Sequence, residues 1–123
     1  MLEARTIAVV GASPDPGRTS HRVMRYLQAA GYRCIPVNPN AADVLGERCY
    51  PSLGDVTEPV DFVDVFRRPE YCAAVAEDAV AIGTKALWLQ LGIRSADARR
   101  IAVDAGLDYV EDACTLVVHR RLA

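Results

Sequence analysis

The sequence predicts an α/β domain, a doubly wound parallel sheet of about five strands, on three observations. Short apolar runs alternate with amphipathic stretches of helical period along the whole 123-residue chain. Three helical stretches end alike, in Ala-Ala-Gly31, Ala-Ile-Gly83 and Asp-Ala-Gly106, and each leads within a few residues into a new apolar run. Such short turns belong to βα units, whose right-handed crossovers cover a parallel sheet on both faces. The runs at 60–66 and 86–91 are apolar at most positions, as doubly covered strands must be.

The first strand is Ile7-Ala8-Val9-Val10, which passes into Gly11-Ala12-Ser13 and the loop Pro14-Asp15-Pro16-Gly17. Val23, Met24, Leu27 and Ala30 then recur at helical spacing, so a helix is expected over 18–30, with Gly31 as its left-handed cap. Arg33-Cys34-Ile35-Pro36-Val37 is the second strand, with Pro36 near its end because proline cannot donate to a ladder. Residues 41–58 read as a loop with a short extended piece and one helical turn capped by Ser52. The third strand, 60–66, is broken by Asp61 and Asp64. Pro69 suits the first turn of a second helix, which turns Cys72, Val75, Ala76, Ala79 and Val80 inward. After the strand at 86–91, Ser95 caps a third helix running to about 105. Residues 107–111 form the fifth strand, and Thr115-Leu116-Val117-Val118 reads as a short extra extended piece before Arg120-Arg121.

This length suits one domain, 1–123, with a single core that needs no staples. Lys and Arg number 14 against 16 Asp and Glu, and hydrophobic residues make up 51%. That balance points away from disorder and from nucleic acid. No stretch approaches the roughly 20 apolar residues that span a bilayer, and the run at 7–12 is too short for a signal peptide. Cys34, Cys49, Cys72 and Cys114 stand far apart with no histidine pair nearby, so neither a zinc site nor a redox dithiol is written here. Reduced thiols and a cytoplasmic location are expected.

The chemistry concentrates at Thr6 to Leu27. A helix that starts directly after a buried strand turns unpaired N–H groups and its positive dipole end toward whatever lies over the strand's carboxyl end. Phosphate suits that position. Ser13, Thr19 and Ser20 add hydroxyl donors, and Arg18 and Arg22 add charge. The plain alternative makes Ser20 or Thr19 an N-cap and the arginines solvated. The loop is neither a Walker loop nor the spaced-glycine dinucleotide fingerprint. In a doubly wound fold it meets 37–39, 66–68 and 90–92 at the crevice where the chain switches direction. Ordinary NAD binders carry an acid at the end of the second strand, whereas Val37-Asn38-Pro39 stands here. This favours a phosphorylated ribose, as in NADP or coenzyme A, with Arg33 either supplying charge or solvated.

IAVVGAS, Arg18-x-Ser20-x-Arg22-Val23-Met24, Gly31-Tyr32 with IPVNP, VDFVDVFRRP and LWLQLGI, in this order, closely resemble the small stand-alone CoA-binding proteins. More distantly, they are similar to the N-terminal domain of the succinyl-CoA synthetase alpha subunit. The resemblance implies a Rossmann-like CoA-binding domain in which Gly11, Ala12 and Ser13 approach the pyrophosphate and Arg18 and Ser20 add phosphate contacts. It also implies that Val37, Asn38 and Pro39 border adenine and ribose, that Phe66 and Arg67 lie along the pantetheine, and that Gln90 forms the far wall. The expected function is non-catalytic binding of coenzyme A or an acyl-CoA, as carrier, sensor or partner module; the alternative is a small NADP-dependent oxidoreductase. His21 is expected to be an exposed helix residue. Asp64 has no acid or base partner in the pattern and reads as structural or crevice-lining. Cys114 is either a buried inert thiol or close enough to the CoA thiol for a mixed disulfide.

Overall fold

The computed structural model describes residues 3–122. In chain order it contains β1 (Thr6–Val10), α1 (Thr19–Ala29), β2 (Arg33–Val37), β3 (Asp43–Val44), β4 (Glu47–Arg48), a 3-10 turn (Leu53–Asp55), β5 (Phe62–Val65), α2 (Pro69–Ile82), β6 (Ala86–Leu89), α3 (Ala96–Asp104), β7 (Asp108–Val110) and α4 (Thr115–Leu122). Five strands pair in the order β2-β1-β5-β6-β7, every pair parallel. The chain first builds outward from β1 to β2 and then returns to the other side of β1 with β5, so the switch point lies between β1 and β5.

Alternation along the strands divides the interior into two layers, because successive side chains of a strand face opposite sides. Ala8, Val10, Ile35, Val63, Val65, Leu87 and Leu89 pack against Cys72, Ala76 and Ala79 of α2 and Ala98 and Ala102 of α3. On the other face Ile7, Val9, Cys34, Phe62 and Trp88 pack against Val23, Met24 and Leu27 of α1, with Leu116 and Val118 of α4 beside them. The small alanines of α2 and α3 let those helices approach the sheet closely. Ala30, expected to face inward, is exposed. Val75 packs on the core only partly buried.

The three glycine stops behave as the sequence predicts. At Gly31 the φ angle is +101°. Its N–H reaches the Gln28 carbonyl at 3.0 Å and the Tyr32 N–H reaches Leu27 at 3.1 Å, which satisfies two carbonyls of the last turn. Gly83 and Gly106 repeat the pattern. The 41–58 region contains a two-residue antiparallel hairpin, β3 with β4, and the 3-10 turn after Ser52. There the Ser52 hydroxyl donates to the Asp55 carboxylate at 2.8 Å rather than capping the backbone.

The segment at 115–118 is helical, not extended. Its β-branched residues suit a strand, but Thr115 and His119, one turn apart, are the buried positions. His119 Nδ1 lies 2.8 Å from the Tyr26 hydroxyl, and its ring stands edge-on to Tyr26 and Tyr32. These contacts dock α4 on α1, and sheet pairing offers nothing equivalent.

Candidate functional site

The four segments expected to converge do so at the carboxyl ends of the strands. A cavity of about 640 Å³ is lined by Gly11, Ser13, Gly17, Arg18, Thr19, Ser20, Asn38, Phe66, Gln90, Leu91, Ile93 and Cys114. A second, of about 540 Å³, shares Gly11, Arg18, Asn38 and Phe66 and continues along Pro39, Asn40, Arg67, Arg68 and Tyr71. No Asp or Glu lines either one.

The β1–α1 loop is held by its own polar groups. Ser13 N–H donates to Ser20 Oγ at 3.1 Å, Asp15 N–H to Ser13 Oγ at 3.1 Å, and Gly17 N–H to Asp15 Oδ1 at 2.9 Å. Asp15, the one acid of the loop, is thereby occupied inside the turn. Both serine oxygens accept from the backbone, so each hydroxyl hydrogen remains to be given to a ligand. The N-cap of α1 is Arg18, whose side chain accepts nothing, and no acid stands in the first turn. The first helical bond is Arg22 N–H to Arg18, and the N–H groups of Thr19, Ser20 and His21 have no acceptor among the described residues. The plain N-cap reading of Ser20 or Thr19 is thus corrected. By contrast, α3 is capped in the ordinary way, with Ala98 N–H on Ser95 Oγ at 3.1 Å.

Around this helix end the cations are free of carboxylates. Arg18, Arg67 and Arg68 line the cavities and make no ion pair among the described residues, although Arg67 stacks over the Tyr71 ring at 4.5 Å. Arg33 is different. It sits at the amino end of β2, away from the cavity, and pairs with Glu47 and, at 2.7 Å, with Glu58. It is an exposed strand arginine held by these two acids, and it is not placed at a ribose.

Of the residues singled out from sequence, Gly11, Ser13, Arg18, Ser20, Asn38, Pro39, Phe66, Arg67 and Gln90 line one or both cavities. Ala12 and Val37 are buried and line neither. The Gly11 N–H is spent on the Val37 carbonyl at 2.9 Å, and the Asn38 amide donates to the Ala12 carbonyl at 2.7 Å. These two bonds clasp the ends of β1 and β2 together. Sequence reasoning missed Asn40, Tyr71 and Ile93. The signal that pointed to Tyr71 is its place in the first turn of the helix that Pro69 opens, close behind Arg67.

Behind Gln90 lies a buried chain of three polar groups. Asp64 is fully buried, at the register position between Val9 and Trp88. Its Oδ2 lies 2.9 Å from Thr115 Oγ1, which lies 3.0 Å from Gln90 Oε1; the Thr115 N–H also donates to Gln90 Oε1 at 3.0 Å. Burial pushes the Asp64 carboxyl up to about 8, with the Thr115 bond opposing. One hydroxyl hydrogen cannot serve both neighbours of Thr115. A protonated Asp64 resolves the conflict by donating to Thr115, which in turn donates to Gln90, and the unpartnered Asp64 Oδ1 is then a neutral carbonyl rather than a bare charge. His21, expected to be exposed, is buried at 7% exposure, and its Nδ1 has no partner.

Two acid-free cavities at a switch point, an uncapped helix start and three unpaired arginines define a doubly wound binding domain for a ligand with several anionic groups. The chain belongs to the CoA binding domain family, whose model matches residues 5–120. It is 39% identical over 97% of its length to the uncharacterized protein YneT of Bacillus subtilis, covering 88% of that protein. A solved structure from Thermus thermophilus, cell-free ID.343, superposes with a TM-score of 0.95 at 42% identity, over 99% of this chain and 92% of that one. The chain is also 28% identical over 97% of its length to an ADP-forming acetate–CoA ligase of Archaeoglobus fulgidus, of which it spans only 19%. Among the described residues no helix is long and apolar enough to cross a membrane, and no group of three or more His, Cys, Asp or Glu is placed to hold a metal ion.

Proposed function

We propose that this domain binds coenzyme A, free or as an acyl-CoA, across both cavities and turns over no substrate by itself. The observation that carries the reading is the uncapped start of α1, where Arg18, Thr19 and Ser20 line a cavity that no acid lines. The diphosphate sits there, with Ser13, Arg18 and Ser20 donating. Adenine and ribose lie toward Pro39, Asn40, Arg67 and Tyr71, and the pantetheine arm runs past Phe66 to Gln90. Ala12, Val37 and the Gly11 N–H act by holding the loop in shape.

The non-catalytic part rests on the condition of the ionisable groups. His119 is taken by Tyr26, His21 Nδ1 has no hydrogen-bond partner, and Asp64 is sealed behind Thr115. No observation favours the NADP reading, since the one arginine of β2 is paired elsewhere. A cytoplasmic carrier, sensor or partner module is the corresponding role.

Calorimetry tests this directly: CoA is expected to bind with a Kd of roughly micromolar order and NADPH not to bind. Charge-assisted bonds from Arg18 to phosphate are worth about 1.5–3 kcal/mol, so Arg18→Ala should weaken CoA at least about tenfold. An unchanged Kd removes Arg18 from the site, and binding of NADPH in place of CoA ends the proposal.

A further inference from the structure

We propose that Cys114 is a thiol-exchange site, which takes up coenzyme A from its disulfide and holds it as a protein–CoA mixed disulfide. The inference rests on the CoA-binding reading and adds a covalent step to it.

Position is the first argument. Cys114 lies over the carboxyl end of β6, where the Trp88 indole N–H donates to the Ala113 carbonyl at 2.7 Å and the Ala113 N–H approaches the Leu89 carbonyl at 3.5 Å. Cys114 lies by β6 and the start of α1 by β1, two places apart in the sheet, and strands two places apart are separated by about 10 Å. Both belong to one cavity. An extended pantetheine arm leaving a diphosphate at α1 spans that separation and delivers its sulfur here.

Gln90 supplies an independent observation. It is only 3% exposed, its Oε1 accepts both Thr115 donors, and its Nε2 has no partner among the described residues, yet the side chain lines the same cavity. A fixed amide donor at the cavity wall with no protein acceptor suits a ligand carbonyl. The amide groups of pantetheine are such carbonyls, and Thr115, next to Cys114, fixes the donor's orientation.

Selectivity among the thiols follows from burial. Cys34, Cys49 and Cys72 are buried, whereas Cys114 is partly exposed. Burial pushes the Cys34 thiol up to about 12 and the Cys72 thiol to about 11, which suppresses their thiolates. Cys114 immediately precedes α4, its carbonyl accepting the Val118 N–H at 3.0 Å, and no acid stands in the first turn of that helix.

The exchange balances without a further oxidant. The Cys114 thiolate attacks one sulfur of CoA disulfide, the CoA–S–S–CoA bond breaks, the Cys114–S–S–CoA bond forms, and the second CoA leaves as a thiolate that takes a proton from water. A reducing dithiol reverses the step.

Intact-mass spectrometry of the full chain with CoA disulfide is expected to show one CoA adduct, mapped to Cys114, removed by dithiothreitol and missing in Cys114→Ser. Prior binding raises the effective thiol concentration, so wild type should react at least about tenfold faster than with oxidised glutathione. Arg18→Ala should lower the rate with CoA disulfide at least about tenfold, in step with its weaker CoA binding. An adduct on another cysteine, or equal rates with the two disulfides, overturns the inference. No adduct in a protein that binds CoA by calorimetry overturns it and leaves the binding reading intact; failure of calorimetric binding removes both.

Discussion

Asp64→Asn is expected to make the protein more stable than wild type at pH 8 by at least about 2 kcal/mol, and nearly equal to it at pH 4. The native carboxyl is raised from the ordinary 3.8 to about 8 by burial. Between those values the folded chain keeps a proton that the unfolded chain has lost, so stability falls as pH rises. The slope from this one group is up to about 1.4 kcal/mol per pH unit. Below the window both states are protonated, and above it both are ionised. Asparagine keeps the geometry, because its amide donates to Thr115 Oγ1 as the protonated acid does, and it has nothing to titrate. Asp61, which accepts the N–H groups of Arg5 and Thr6, shifts the opposite way, so its stabilisation is lost only as pH falls below the usual carboxylate range. Urea unfolding of both proteins from pH 4 to 8 measures the difference. Parallel curves would show that Asp64 is ionised in the native state, and the proton chain through Thr115 to Gln90 would have to be redrawn.

Gly11→Val is expected to destabilise the fold by at least about 3 kcal/mol, before any effect on ligand. The φ angle is +86°, which costs a residue with a side chain about 1–2 kcal/mol. A Cβ there would also stand 2.7 Å from the Phe66 carbonyl oxygen and 3.2 Å from Arg67 Cδ. The oxygen belongs to backbone just after β5 and cannot rotate away. Gly46 is the internal control: its φ is +79°, but a Cβ there would meet nothing within 4 Å. Gly46→Ala should cost about 1 kcal/mol, conformational strain alone. If Gly11→Ala costs no more than Gly46→Ala in the same denaturant series, the contact with Phe66 carries no weight.

The same residue shows how far sequence reasoning reaches. The pattern strand, Gly11, loop, helix marks a place where backbone must come close to something, and a diphosphate is the natural reading. The fold adds a second reason, since the glycine seats the first loop against the one after β5 across the switch point. That neighbour is 55 residues away in sequence, beyond any local pattern. Arg33 teaches a similar lesson: its type allowed a phosphate contact, but its place at the amino end of β2 put it beside Glu47 and Glu58. His21 sits on the buried side of α1, where the docking of other elements, not the spacing of α1 alone, determined its exposure.

Sequence by itself determined the order of strands and helices, the three glycine stops, and the end of the sheet where a ligand belongs. Those features follow from side-chain period, backbone freedom and crossover handedness, which act over a few residues or over whole βα units. Tertiary structure alone decided that 115–122 is a helix, that Asp64 meets Thr115 and Gln90, and that Cys114 shares a cavity with the start of α1. Each depends on burial against distant partners: Thr115 has no reason to be helical until the Asp64 carboxyl and the Gln90 amide claim its hydroxyl and N–H, and His119 none until Tyr26 and Tyr32 close around it.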